Sequence, residues 1–114
     1  MMCTKHEMNI IIEQICQAYK SVYGTNIAHV ILYGSYARGD NNAESDIDIV
    51  AIVHGSREQL QKGLRIIWDK SSDLEIEYGT IISPTVIPYD EFEKYKEDIP
   101  YYRNIAHEGV EISA

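Results

Sequence analysis

The 114-residue sequence contains little cysteine and little proline, and each shortage excludes a class of protein. Cys3 and Cys16 are too few for a disulfide framework, and their separation excludes a C-x-x-C motif for zinc or redox chemistry. Three prolines and seven glycines, beside 45% hydrophobic residues, exclude a low-complexity or disordered chain. We therefore expect a single folded domain over residues 1–114, in a reducing compartment.

Basic residues and long apolar runs are also scarce. Ten lysines and arginines against eighteen acidic residues give a net charge of -8, which disfavours direct nucleic-acid binding because that binding needs a basic face. The apolar run at residues 10–12 is bracketed by Glu7 and Glu13, so the sequence predicts neither a secretory signal nor a membrane span. A cytoplasmic location is expected, and the acidic surplus suits either a solvated surface or a divalent-metal site.

Helical and extended patterns alternate along the chain. Apolar residues recur with helical spacing in four segments: residues 5–23, 56–70, 89–98 and 100–108. Apolar and β-branched runs predict three strands: residues 27–33, 46–53 and 74–87. This order predicts an α/β fold, a small sandwich in which helices pack on a short mixed central sheet. The directions of the strands stay open.

Individual residues mark where some of these segments begin and end. Ser56 and Gln59 form a capping box that opens the second helix. Pro100 suits the first turn of the last helix, which a glycine at position 109 would end. Tyr101 and Tyr102 follow that proline and are predicted to pack the helix onto the sheet, with a partner interface as the alternative.

The segment that carries chemistry joins the first two strands. Gly34 lets the backbone turn sharply off the first strand, and the amides after it can bind phosphate oxygens. Ser35 adds a hydroxyl donor, and Arg38, one helical turn later, can reach the same phosphates with its guanidinium group. These three residues are the candidate nucleotide-binding residues.

Two acidic residues open the second strand. Asp46 and Asp48 are two residues apart, so on a strand their side chains leave the same face, with Cα atoms roughly 6 to 7 Å apart. Such neighbours repel each other unless a cation lies between them, and Mg²⁺ takes these oxygen ligands together with substrate phosphates. Taken alone, Asp-x-Asp is more often a solvent-exposed strand start. After a Gly-Ser turn, it indicates a catalytic metal site with Asp46 and Asp48 as ligands.

Gly34-Ser35, ten intervening residues and Asp46-x-Asp48 together resemble the signature of the nucleotidyltransferase fold shared by DNA polymerase beta and the aminoglycoside nucleotidyltransferases. The form Gly-Ser-Tyr-Ala-Arg-Gly is similar to that of bacterial minimal nucleotidyltransferases, and the similarity is strongest over residues 31–53. The resemblance implies that the glycine and serine contact nucleotide phosphate and that the two aspartates bind Mg²⁺. It also implies transfer of a nucleoside monophosphate from a triphosphate to an acceptor hydroxyl.

The same family usually carries a third carboxylate on the following strand. Here the expected acid falls near Ser83, whose hydroxyl cannot replace a carboxylate. Glu75 and Glu77 come earlier and would share one face of a strand, so Glu77 is the third catalytic candidate, with Glu75 or neither as alternatives. A solvated strand edge is the other interpretation of this pair.

The resemblance also implies a partner. It favours ATP as the nucleotide and an α-helical HEPN-domain toxin as the partner, adenylylated on tyrosine by this protein as its antitoxin. Two alternatives stay open: a noncatalytic antitoxin module with a degenerate site, and a transferase acting on a small molecule such as an aminoglycoside. The sequence fixes neither the acceptor nor a homo- or hetero-oligomeric state.

Overall fold

A computed structural model describes residues 5–34, 37, 39 and 46–112. The described helices are α1 (Lys5–Tyr23), α2 (Arg57–Tyr78), α3 (Tyr89–Tyr95) and α4 (Pro100–Glu108). The described strands are β1 (Ile27–Tyr33), β2 (Ile47–Val53), β3 (Ile82–Pro88) and β4 (Val110–Glu111). The predictions for α1 and β1 are confirmed at both ends.

The strands form one mixed sheet in the order β3-β2-β1-β4. Strand β1 runs antiparallel to both β2 and β4, whereas β3 runs parallel to β2. Tyr33 pairs with Asp48 across β1 and β2, and Asp48 pairs with Ser83 across β2 and β3. The end of β1 and the starts of β2 and β3 therefore meet at one edge of the sheet.

Helices cover both faces of this sheet, which confirms the α/β sandwich. On one face, α1 and α2 enclose a core that includes Ile11, Tyr19, Ile47, Ile49 and Ile67. On the other face, α3 and α4 enclose a smaller core that includes Ile31, Val50, Ile52, Phe92 and Ile105. Strand β2 contributes alternate residues to both cores, as expected of a strand with both faces covered.

Helix α2 is longer than the sequence predicted. The Ser56 hydroxyl accepts a hydrogen bond from the Gln59 amide at 3.3 Å, so Ser56 caps the helix as predicted. The helix then continues to Tyr78, because Ser71 and Leu74 keep its buried stripe in register, and Gly79 ends it in the left-handed conformation at φ 66°. The strand predicted over residues 74–87 is therefore wrong for its first half.

Of the two C-terminal helices, α3 is shorter than predicted, whereas α4 begins and ends at the predicted residues. Helix α3 ends at Tyr95 instead of near residue 98, and Pro100 opens α4. The Gly109 amide donates to the Ile105 carbonyl at 3.0 Å and ends that helix. The two-residue strand β4, which the sequence did not predict, then pairs with β1.

Among the described residues, no helix combines the length and the apolar character needed to cross a bilayer.

Candidate active site

The site is built around the contact between Gly34 and Asp48. Gly34 directly follows β1 and has a φ of 83°, a conformation that strongly favours glycine. A Cβ atom placed on Gly34 would lie 2.6 Å from the Asp48 carboxylate oxygen Oδ2. The absence of a side chain at position 34 therefore makes room for the carboxylate of Asp48.

Successive side chains of β2 point to opposite faces of the sheet, and this sets the direction of the Asp48 carboxylate. Ile47 and Ile49 are buried in the core under α1 and α2, so Asp48 emerges on the opposite face, beneath α4. Asp46 is half-buried and directly precedes the strand. Both acids thus lie at the sheet edge where Gly34 turns the chain.

A small pocket of about 70 Å³ surrounds Asp48 on this face. Side chains from three strands and α4 contribute to its lining, which includes Tyr33, Asp48, Val50, Ser83, Thr85 and Tyr101. The pocket combines a carboxylate with several hydroxyl groups, so it can bind and orient polar substrate atoms beside an acid.

Tyr101 brings a phenol from α4 to the pocket. Its ring meets the Tyr33 ring edge-on, with centroids 5.8 Å apart. Burial raises the pKa of Tyr101, the neighbouring Tyr33 and Asp48 raise it further, and a hydrogen-bonding interaction with the Thr85 side chain lowers it. The Tyr101 hydroxyl therefore lies within electrostatic range of the acid at the centre of the site. Tyr101 was predicted to pack or to meet a partner, and its place in the pocket was not foreseen.

The pocket rests on a buried tyrosine of the opposite helical layer. The Tyr19 hydroxyl donates to the Thr85 carbonyl at 2.8 Å and accepts from the Thr85 amide at 3.1 Å. It also lies 3.2 Å from the Ile49 carbonyl. Burial raises the pKa of Tyr19 well above its usual value. This one hydroxyl therefore contacts both β2 and β3. It fixes the backbone of Thr85, which lines the pocket.

Ser83, near which the third carboxylate was expected, is the register partner of Asp48 on the parallel strand β3. Glu75 and Glu77 lie on α2 and not on a strand, so the premise that they share one face is wrong: residues two apart in a helix point about 200° apart. The Glu75 carboxylate accepts from the Ile82 amide at 2.8 Å, whereas Glu77 is exposed. Neither glutamate is among the described residues that line the pocket.

Comparisons with known proteins show the family to which this chain belongs. Residues 8–111 match the model of the family described as "Nucleotidyltransferase domain". This chain belongs to that family. A proposed protein adenylyltransferase of Methanocaldococcus jannaschii is 35% identical over 98 residues, covering 86% of this chain and 90% of that protein. A second from the same organism is 29% identical, covering 90% of this chain and 95% of that protein.

Solved structures support the fold of this nucleotidyltransferase. A toxin–antitoxin crystal structure with AMP-PNP aligns with a TM-score of 0.55 at 14% identity, covering 87% of this chain and 69% of that one. A mutant of the MntA-HpeT toxin–antitoxin aligns with a TM-score of 0.55 at 13% identity, covering 90% of this chain and 72% of that one. At these identities the likeness concerns the fold.

The described acids of this nucleotidyltransferase suit a hard divalent cation that is shared with a substrate. Within the described ranges, no group of three or more His, Cys, Asp or Glu residues is arranged around one point. Asp46 and Asp48 supply two carboxylates, the number that commonly holds Mg²⁺ when phosphate oxygens and water complete its shell. The missing side chain of Gly34 lets the Asp48 carboxylate lie directly beside the turn, which fits such a use. Ser35 and Arg38, the other predicted phosphate-binding residues, lie outside the described residues.

Proposed function

We propose that this nucleotidyltransferase moves AMP from ATP to a hydroxyl group of a partner protein. The observation that carries the proposal is the contact between Gly34 and the Asp48 carboxylate, because it joins the phosphate-binding turn to the acidic strand. The choice of AMP and of a protein acceptor is supported by the names of the two Methanocaldococcus jannaschii relatives.

Asp46 and Asp48 are proposed to hold Mg²⁺ against the triphosphate. When bound, Mg²⁺ would neutralise phosphate charge and stabilise the leaving pyrophosphate. The residues of the chain then act by positioning: Gly34, Ser35 and the backbone amides beyond them hold the outer phosphates, and Arg38 supplies a cation there. An acceptor hydroxyl attacks the α-phosphorus: its oxygen bonds to phosphorus, the bond from that phosphorus to the bridging oxygen breaks, pyrophosphate leaves, and the hydroxyl proton passes to water.

The proposed partner is an α-helical HEPN-type toxin, modified on a tyrosine in the cytoplasm. Support comes from the aligned structures, which are described as toxin–antitoxin complexes, one of them with AMP-PNP. In this proposal the protein acts as an antitoxin by adding an adenylate to its partner.

A noncatalytic antitoxin is the second candidate function. The observation that favours it is Ser83, which stands beside Asp48 where a third carboxylate is expected and cannot accept a proton as a carboxylate does. In that case the partner would be blocked by contact alone.

One transfer assay separates the two candidates. The protein is incubated with Mg²⁺, ATP labelled at the α-phosphate, and the product of the adjacent gene. The enzymatic proposal predicts labelled partner with wild-type protein and none with Asp48→Asn. A stable, unlabelled complex that still neutralises the toxin would contradict catalysis and favour the noncatalytic module.

A further inference from the structure

The Tyr101 phenol lines the pocket that contains Asp48. In the proposed reaction, which this inference assumes, the α-phosphorus must lie close to the metal held by Asp48, and the attacking oxygen must reach the same point. Tyr101 lines the pocket that holds Asp48, and the carboxylate is near enough to affect its hydroxyl. The protein therefore carries a possible acceptor of its own.

The surroundings of Tyr101 keep its ring in place but leave it accessible. Tyr33 packs edge-on against it, and Thr85 interacts with its hydroxyl. Its neighbour Tyr102 is buried and donates to Glu91, which fixes this turn of α4. Yet Tyr101 remains 43% exposed, so an incoming nucleotide can approach it. A fixed and accessible hydroxyl reacts at a high effective concentration.

We propose that Tyr101 is a self-adenylylation site. The Tyr101 oxygen bonds to the α-phosphorus of ATP, the bond from that phosphorus to the bridging oxygen breaks, and pyrophosphate leaves. The phenolic proton passes to water. Because Tyr101 has a single hydroxyl, each chain accepts one adenylate and then stops.

The main test is the intact mass of the purified protein after incubation with Mg²⁺ and ATP. We expect the mass of one adenylate per chain, mapped to Tyr101 by peptide sequencing in the mass spectrometer. Since acceptor and site belong to one chain, the observed rate constant should not change when the protein is diluted. Tyr101→Phe, which retains the ring packing, should remove the adduct, whereas Tyr95→Phe, at an exposed tyrosine of α3, should not.

A second readout does not depend on turnover. Acetylation of tyrosines by N-acetylimidazole is followed with and without Mg²⁺ and an ATP analogue carrying a methylene bridge between its α and β phosphates. We expect the bound analogue to slow acetylation of Tyr101 several-fold and to leave Tyr95 unchanged. Equal acetylation of Tyr101 in both conditions, at saturating analogue, would overturn the inference.

The outcomes also separate this inference from the proposed function. An adenylate on the partner but none on Tyr101 overturns the inference alone. An adenylate on another residue of the chain, or a rate that rises with protein concentration, also overturns it. If Mg²⁺-ATP binds and neither the chain nor the partner gains an adenylate, both proposals fail.

Discussion

At the scale of single residues, the site depends on the absence of a side chain. Gly34 has a positive φ and lies against the Asp48 carboxylate, so two separate constraints exclude other residues there. The positive φ is a backbone constraint, which a residue with a Cβ atom satisfies only with strain. The proximity of the Asp48 carboxylate is a steric constraint, and it bears directly on function.

A pair of glycine variants separates these two constraints. Gly24 also has a positive φ, 58°, but a Cβ there would meet nothing within 4 Å. We expect Gly34→Ala and Gly24→Ala each to lose about 1–2 kcal/mol of stability from backbone strain, measured by urea unfolding. Only Gly34→Ala should also lose Mg²⁺-dependent ATP binding, because its methyl group displaces the Asp48 carboxylate. Unchanged ATP binding by Gly34→Ala would contradict the assigned site.

Tyr19→Phe tests the support beneath the pocket. The change removes the hydroxyl that serves both the amide and the carbonyl of Thr85 in a fully buried position. Leaving such groups unsatisfied costs about 1–3 kcal/mol, so the free energy of unfolding in urea should fall by that amount. Tyr95→Phe, at the surface, should change it little. Equal stability of the two variants would show that the hydrogen bonds of the Tyr19 hydroxyl contribute nothing to the free energy of unfolding.

At the scale of elements, α4 is held in place by a polar cluster at the far end of the sheet. The Tyr102 hydroxyl and the Arg57 guanidinium both donate to the Glu91 carboxylate, which joins α2, α3 and α4. Hydrogen bonding from Tyr102, followed by that from Arg57, holds the pKa of Glu91 below its usual value, against the effect of burial. The cluster therefore fixes the helix that carries Tyr101.

This lowered pKa predicts a pH dependence. A carboxylate whose folded-state pKa is lowered contributes stability above its unfolded pKa of about 4.3 and loses it as the pH falls through the folded value. Glu91→Gln should therefore cost about 1 kcal/mol near neutral pH, and the loss should shrink below pH 4. Glu93→Gln, at the neighbouring pair with Lys96, is the matched control. A loss that is independent of pH would contradict the charged cluster.

The sequence predicted the elements that are governed by local patterns. The helix over residues 5–23 and the strand over residues 27–33 follow from apolar spacing and flanking turn residues, and the structure has both. The C-terminal half of α2 was missed, since residues 74–78 alternate in polarity as a strand would, whereas the buried stripe of the whole helix decides their conformation. The place of Tyr101 could not be predicted, because it depends on how α4 crosses the sheet.

At the scale of the whole molecule, buried tyrosines join α1 to α2 and to the sheet, and they make stability sensitive to alkaline pH. Burial raises the pKa of Tyr23 to about 12, and its hydroxyl donates to the Leu60 carbonyl of α2 at 2.6 Å. A tyrosine with a raised folded-state pKa contributes stability below its unfolded pKa of about 10 and loses it as the pH rises through the folded value.

The contribution of Tyr23 to the free energy of unfolding should therefore be constant up to about pH 9 and decrease between about pH 10 and 12. A two-unit difference for Tyr23 corresponds to about 2.7 kcal/mol across this range. Tyr23→Phe should show a shallower decrease in urea unfolding than the wild type. Parallel curves for the two proteins would contradict the role assigned to the buried hydroxyl.

The fold as a whole brings the turn after β1 and the start of β2 to one edge of the sheet, and the proposed chemistry depends on that edge. The most direct test is calorimetric titration of ATP, with and without Mg²⁺, into the wild type, Asp46→Asn, Asp48→Asn and the double variant. The account predicts that the wild type binds ATP in a Mg²⁺-dependent manner and that each single variant loses most of this binding. The double variant should show no Mg²⁺-dependent binding. Tight Mg²⁺-dependent ATP binding by a folded double variant would contradict it.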